Sequence, residues 1–428
     1  VIATTLVLLL VLIALAIPVA AALGVLGLSL DWIYSSLPLS RAMGEIAWSS
    51  SNEFLLVSVP MFILLGEILL RSGYAERMYG AMVKWLSWLP GGLMHSNIAA
   101  CGVFAATSGS SVATAATVGT VALPQARRFG YDERLFLGTL AAGGTLGILI
   151  PPSINMIIYA VLTDTSVPKL YLAGIVPGVA LMLLFMLTIV VACMIRPAWG
   201  GQRITADWAA RIASLVHLLP PLGIFLVVVG SIYAGLATPT EAAALGVVAA
   251  LILSIAAGRF SLGMLREALE GTMRSTSMVM LIILAAYFLN FVISSLGLTT
   301  ALTDAIAGLG LSQMQMLFAV IVFYVVLGCF METLSMMITT IPVIAPVMIQ
   351  LGFDPVWFGI VIVILIETAL ITPPVGLNLF VVQNLRRSGS MNDVILGSVP
   401  FVIALFLMLA LLSAFPQIAL WLPGLFSG

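Results

Sequence analysis

Charge is what this sequence has least of. Only 8% of its 428 residues are Asp, Glu, Lys or Arg, against roughly 25% in an ordinary soluble domain. The 16 Lys and Arg and 17 Asp and Glu cannot cover a soluble chain of this length, so a soluble enzyme is excluded. Cysteine is nearly absent. Cys101, Cys193 and Cys329 lie in apolar runs and read as small core residues, not as a disulfide scaffold. The two histidines, His95 and His217, are isolated, lack metal-ligand spacing and read as interfacial. No Gly-rich loop ends in a lysine, so the chain does not itself hydrolyse ATP and no nucleotide is expected. The net charge of −1 offers no basic surface, so no nucleic acid is expected.

What remains is apolar. Hydrophobic residues make up 62% of the chain, and mean hydropathy is +1.22. The apolar runs are continuous and near or above the roughly 20 residues of a spanning helix. An outer-membrane barrel would instead alternate over about ten-residue strands. The class is therefore an all-α polytopic membrane protein of a bacterial inner membrane, in contact with lipid. The run 1–30 has no basic flank, is long for a signal peptide and reads as a membrane helix.

Sliding the chain against itself by 222 residues produces matches in both halves. Pro124 falls on Pro346, and Gly130, Asp132 and Phe136 fall on Gly352, Asp354 and Phe358. Pro151-Pro152 falls on Pro373-Pro374. Two repeats are predicted, 1–210 and 211–428. Lys and Arg mark cytoplasmic loops. Arg127 and Arg128 correspond to the base-free stretch 349–353, while 163–169 carries one Lys and its counterpart carries Arg386 and Arg387. No base occurs from 275 to 384. Each basic loop thus has a base-poor equivalent, the signature of inverted-topology repeats. Arg127, Arg128, Arg386 and Arg387 are expected in the cytoplasm, and Phe353 and Asp354 in the periplasm.

Spanning helices are predicted at 3–29, 53–71, 135–165, 170–195, 212–235, 239–258, 275–298, 356–384 and 394–421. Five crossings separate the repeat starts, so the second half is inverted. Two further apolar stretches, 89–126 and 312–349, have polar centres at Ser108, Gly109, Ser110 and Ser111 and at Glu332, Thr333 and Ser335. They read as re-entrant helical hairpins, because such tips belong at membrane depth only where protein or a water-filled cavity covers them. A pair of full crossings is the alternative. In the first repeat, scaffold helices at 1–84 precede hairpin 89–126, broken helix 135–165 and helix 170–195. In the second, linking helix 212–235 and scaffold helices 239–298 precede hairpin 312–349, broken helix 356–384 and helix 394–421.

Tandem proline removes two backbone donors and disfavours helix before it. Helices 135–165 and 356–384 must therefore unwind at Pro151-Pro152 and Pro373-Pro374. Freed carbonyls suit a small hard cation, and half-helix N-termini attract anions. Asn155, Thr372 and Asn378 add side-chain oxygens, and the hairpin-tip hydroxyls supply the other wall. The bland alternative is a pair of proline kinks. Among acids in apolar segments, Glu241 reads as a helix-start residue and Glu332 as an ion-site candidate. Glu367 faces either the same cavity or a neighbouring helix, and Glu67 lies at a segment edge.

The stretches around Pro151-Pro152-Ser153-Ile154-Asn155, Pro177-Gly178, Thr238-Pro239-Thr240-Glu241 and Thr372-Pro373-Pro374, with Gly376 and Asn378, resemble the large membrane subunit of the tripartite ATP-independent periplasmic (TRAP) transporters. The likeness runs along the whole chain. It implies a Na⁺-driven importer of a small organic acid or similar solute. It also implies two partners, a small four-helix membrane subunit, expected here as a separate chain, and a periplasmic solute-binding protein. The implied fold is elevator-like, with a scaffold and a moving domain of two hairpins and two Pro-broken helices. Carried over, one sodium site is Ser108, Gly109, Ser110, Ser111, Pro151 and Asn155. The other is Glu332, Thr333, Thr372, Gly376 and Asn378. Ser110, Ser153, Asn155, Ser335 and Asn378 are the expected substrate contacts. Ile371-Thr372 stands where the first repeat has Leu149-Ile150, so the two ion sites should differ chemically. No catalytic residue and no transition metal are expected. A stand-alone sodium/carboxylate symporter, an intramembrane hydrolase using Glu332 and Glu367, and a channel are the competing readings. The hydrolase lacks a nucleophile–base pair, and inverted repeats suit alternating access better than a pore.

Overall fold

The computed structural model describes residues 2–426 except 16, 203, 205, 299, 300, 302–311, 329, 330, 375 and 387. Cys329, Arg203 and Arg387 thus lie outside the described residues. Among those described, every regular element is a helix. Six helices are long and apolar enough to cross a membrane: Phe54–Arg71, Val167–Ile195, Pro239–Ala256, Leu262–Ser295, Thr333–Gln350 and Met391–Ala414. Two bent pairs join them, Glu133–Leu149 with Ile154–Thr163 at 42° and Trp208–His217 with Leu219–Tyr233 at 41°.

Three predicted spans are interrupted, each beside proline. The run 3–29 divides into Ile2–Ala14 and Val19–Tyr34, with Pro18 heading the second piece. The run 394–421 stops at Ala414 and resumes at Gln417 after Pro416. Proline supplies no N–H to continue a helix and clashes with the turn before it. Within 212–235 the bend falls at Leu218, just before Pro220-Pro221 in the first turn of the next helix, and a π-turn follows at Leu226–Gly230.

Both hairpins form. Leu93–Ser108 turns into Ser111–Arg128, and Gln313–Gly328 is followed by Thr333–Gln350. The repeat equivalence is visible in their chemistry. Ser110 and Glu332, 222 apart in sequence, both cap the start of a returning arm. Asp132 and Asp354 do the same for the two central helices, accepting from Leu135 N and from Val356 and Trp357 N. Gly130 and Gly352 both take positive φ just before them. The Pro151-Pro152 and Pro373-Pro374 bonds are both cis.

Glu133–Leu149 and Pro355–Leu370 are buried all round from their first turns onward. That is why neither shows a polar stripe in the sequence. The first is wrapped by both arms of the first hairpin and by Met391–Ala414. With the last it makes backbone contact, since a Cβ on Gly138 would run into Gly397 O. Around these two helices the repeats interlock. Ile154–Thr163 lies on the second hairpin's arm Thr333–Gln350, and Leu377–Arg386 lies on the first hairpin's arm Ser111–Arg128.

Two contacts give the relative direction of the broken helices. Arg386 Nε, at the end of the second, bonds Glu133 Oε1, at the start of the first, at 2.8 Å. Tyr159 Oη, near the end of the first, donates to Pro355 O, at the start of the second, at 2.7 Å. The two therefore run antiparallel. Arg127 Nη2 donates to Ser388 Oγ at 3.0 Å, so the basic loops of both repeats share one end of the molecule. A separate group packs Ser58–Arg71 against Pro239–Ala256 and Leu262–Ser295, with Val19–Tyr34 on the last.

Candidate functional site

At the first junction the helix ends at Ser108 because Gly109 adopts φ +60. Ser110 then restarts it, its hydroxyl accepting from Ala113 N at 3.4 Å. Ser108 Oγ and Thr114 Oγ1 are 3.0 Å apart, and Thr114 donates to Ser110 O at 2.7 Å. The turn sits directly on the first break. A Cβ on Gly109 would lie 2.8 Å from Pro152 O, and one on Gly147 would lie 2.6 Å from Ser110 O. One on Gly144 would meet Ser111 O at 3.2 Å and Asn378 Nδ2 at 3.0 Å. Three serines, a threonine and several main-chain carbonyls thus converge with no charged side chain named among them. Glycines at 143, 144 and 147 of the central helix make this approach feasible. Their close spacing in the sequence was the available signal for it.

Asn378 belongs to this junction. The sequence groups it with Thr372 at the second break. In the structure its Nδ2 donates to Ala141 O at 3.1 Å, across the repeat boundary. The cause is the interlock, which carries Leu377–Arg386 onto the first hairpin. Its Oδ1 is buried with no donor, and a buried amide oxygen left unmade is costly. A small cation would satisfy it, and the surrounding hydroxyls and carbonyls are hard-oxygen ligands of the right kind. Asn155 sits on the complementary half-helix, which packs on the second hairpin; its Nδ2 is also buried without a partner.

At the second junction a small cavity of about 10 Å³ is lined by Glu332, Thr333, Gly376, Ala369, Leu370 and their neighbours, room for about one water-sized occupant. The structure thus brings Glu332, Thr333 and Gly376 together. Glu332 is first of all a helix cap. Its carboxylate accepts from Leu334 N and Ser335 N at 3.1 Å, Ser335 Oγ at 3.0 Å and Thr333 Oγ1 at 3.1 Å. Thr372 Oγ1 donates to Thr368 O at 2.6 Å, which leaves its lone pairs free to accept. Gly376 has φ +35, and a Cβ there would meet Thr372 O at 3.0 Å.

Two expected substrate contacts are committed locally. Ser153 Oγ donates to Ile148 O and accepts from Met156 N, and Ser335 Oγ is held by Glu332. Glu241 closes a capping box with Thr238, as its position after Thr-Pro-Thr implies. Glu67 pairs with Arg71 in the separate helix group. Glu367 is fully buried with neither carboxylate oxygen partnered. Among the described residues no cluster of His, Cys, Asp and Glu could hold a transition metal.

An ion network that sequence reasoning missed ties the breaks together at the basic end. Arg386, 7% exposed, bonds Glu133 at 2.8 Å and Asp393 at 3.1 Å, and Arg134 bonds Asp393 at 2.9 Å. Burial alone would lower the Arg386 pKa, but hydrogen bonds and charge from Glu133 and Asp393 raise it further than burial lowers it.

Residues 6–418 match the family model described as "Tripartite ATP-independent periplasmic transporter, DctM component". The chain is 33% identical to a C4-dicarboxylate TRAP transporter large permease protein of Pseudomonas aeruginosa, over 90% of each chain. It is 32% identical to an ectoine TRAP transporter large permease protein of Halomonas elongata, over 86% of each. Among solved structures, the YdaH transporter of Alcanivorax borkumensis superposes with a TM-score of 0.57 at 17% identity, covering 87% of this chain and 88% of that one. That likeness concerns the fold.

Proposed function

The chain belongs to the DctM family of tripartite ATP-independent periplasmic transporters, and from that membership we propose a Na⁺-coupled importer of a small organic acid that works by an elevator motion. It is a large permease subunit, a transporter and not an enzyme, and a multi-pass protein of the bacterial inner membrane. The coupling ion, the substrate class, the motion and the partners are the proposal.

The observation that carries it is Asn378 Oδ1, a buried acceptor without a donor, beside the hydroxyls and carbonyls of the first hairpin tip. Such a place suits Na⁺ without a fixed charge. Thr372, Thr333 and Gly376 are the proposed counterparts at the second tip, with Glu332 shaping it. The relatives named above act on C4-dicarboxylates and on ectoine. For this chain we assign an anionic or zwitterionic small solute, recognised by half-helix N-termini and by Ser110, Asn155 and Asn378. Ser153 and Ser335 act by holding the helix starts in place.

Antiparallel broken helices that each rest on the other repeat's hairpin form one body, which supports a rigid moving domain. The group built on Ser58–Arg71, Pro239–Ala256 and Leu262–Ser295 is the proposed scaffold. Its Gly66 approaches the first tip, where a Cβ would lie 3.1 Å from Ser108 O. Leu245, Val248, Ile252 and Ile255 form an exposed apolar stripe on it. That stripe suits lipid and the small four-helix membrane subunit. A periplasmic solute-binding protein delivers the substrate.

Uptake into proteoliposomes holding both membrane subunits tests this. Transport is expected only with an inward Na⁺ gradient and the binding protein, and without ATP. Full-rate uptake in Na⁺-free buffer would overturn the coupling. Full-rate uptake without the binding protein would favour a stand-alone symporter.

A further inference from the structure

The second junction has a feature that the first does not. Glu367 is fully buried in Pro355–Leu370, and neither of its carboxylate oxygens has a hydrogen-bond partner. A shift of 222 residues lands on Thr145, equally buried, whose hydroxyl is satisfied by Ala142 O at 2.8 Å. The first repeat thus places a neutral, satisfied group where the second places an acid held by nothing. Its surroundings in the helix, 360–366, are aliphatic. An isolated carboxylate in such a place is costly unless an opposite charge stands near.

The second cavity is near. Leu370 lines it and is one turn beyond Glu367 on the same helix, and side chains three apart stand about 5–6 Å apart at Cβ. Glu332, which also lines that cavity, spends its carboxylate on the amides of Leu334 and Ser335 and on two hydroxyls. We infer that Glu367 supplies the counter-charge for a Na⁺ bound in the second cavity, acting through space and not as a direct ligand. The inference rests on the Na⁺-coupled reading above. Glu367 does not itself line the cavity, but in a medium that screens weakly a full charge one helical turn from the lining acts on a cation there without touching it. The second ion would then have Glu367 as well as the capping carboxylate of Glu332, whose neutral donors leave its charge in place, whereas the first is held by neutral oxygens alone. The two ions of one cycle would bind with unequal strength.

Na⁺-dependent thermal stabilisation of the purified protein in nanodiscs, with choline balancing ionic strength, is the test. The wild-type protein should be stabilised by Na⁺. Glu367→Gln, which keeps shape and removes charge, should raise the Na⁺ half-saturation by about tenfold or more. Thr145→Val, at the equivalent place, should leave it unchanged. A folded glutamine variant with wild-type half-saturation would overturn the inference and leave Na⁺ coupling intact. A wild-type protein blind to Na⁺ would remove the coupling reading and this inference with it. If the glutamine variant does not fold, Glu367→Asp carries the test. It retains the charge one methylene away, so the Na⁺ response should persist with less than about a tenfold shift. Its loss in a folded aspartate variant would overturn action through space.

Discussion

Pro151 and Pro152 are buried beneath the first hairpin tip, whereas Pro373 and Pro374 are exposed. At the first junction glycine after glycine admits a carbonyl or amide of the other element, and the turn residues are hydroxylic. At the second, Ala369 stands where the first repeat has Gly147, and Glu332 stands where it has Ser110. Ala369 instead faces Gly328, which is the small partner there. One helical plan therefore supports two finishes. Each admits a close approach at a glycine, Gly147 on the central helix in the first and Gly328 on the hairpin in the second; the first tip is neutral and hydroxylic and the second is acid-capped. The backbone signals are shared between the repeats, and the tip residues differ on top of them.

The comparison breaks most easily at the first junction. Gly147→Ala puts a methyl 2.6 Å from Ser110 O, a backbone atom that cannot step aside. Overpacking of this kind should cost about 1–3 kcal/mol or more. The reciprocal Ala369→Gly should cost about 1 kcal/mol or less. Thermal unfolding of the purified subunit reads both, and equal losses would mean that Gly147 is no more constrained by its neighbour than Ala369 is.

Asn378→Ala comes next. It removes the unpartnered acceptor and the amide's hydrogen bond to Ala141 O, a carbonyl that keeps its own helical partner. The expected loss is about 1–3 kcal/mol, or roughly tenfold to a hundredfold in apparent Na⁺ affinity. Crosslinking adds a check on place: a cysteine at 378 should join one at 144 in a cysteine-free background. Failure to crosslink would return Asn378 to the second break.

Glu332→Ala removes a cap that serves two amides and two hydroxyls. It should destabilise by about 1 kcal/mol, as Ser110→Ala should. Glu332→Gln should retain most of that stability, since an amide oxygen still caps. A glutamine variant that folds normally yet has lost Na⁺ dependence would make Glu332 an ion ligand beyond its capping role.

Thr372→Val should have the smallest effect. The hydroxyl's hydrogen already bonds Thr368 O within the helix, so one accepting lone pair is all that is lost to an ion. A shift of about 0.5–1.5 kcal/mol in Na⁺ half-saturation, with normal expression, is expected. If Thr372→Val transports with unaltered Na⁺ half-saturation, Pro373-Pro374 is only a kink.

Much of this architecture is legible in the sequence because proline, glycine and capping residues act locally. Pro-Pro, Gly-aromatic-Asp and the hydroxylic tips mark breaks, turns and helix starts with no reference to the rest of the chain. Base-poor and base-rich loops then imply opposite directions, and Arg386–Glu133 with Tyr159–Pro355 bears out the antiparallel course. What was illegible is tertiary. Nothing in Asn378 or its neighbours says that its half-helix lies on the other repeat's hairpin. Glu332 in Glu-Thr-Leu-Ser is equally suited to an ion and to four donors of its own turn, and only the geometry shows the second. Flanking hydrophobicity alone predicts unbroken spans over 3–29 and 394–421, and Pro18 and Pro416 interrupt them.

The interlocked half-helices also bear on how such a chain is made. The first hairpin's returning arm, Ser111–Arg128, finds its seat on Leu377–Arg386, which leaves the ribosome roughly 250 residues later; at about 5–20 residues per second that is a wait of tens of seconds or less. During that interval a polar tip is in or near the bilayer with half its contacts unbuilt. The first half of the polypeptide is therefore a client in need of shelter, from the insertion machinery or from a neighbouring subunit, until its sequel arrives. Two half-chains expressed together should meet that need for each other, and either half alone should be degraded.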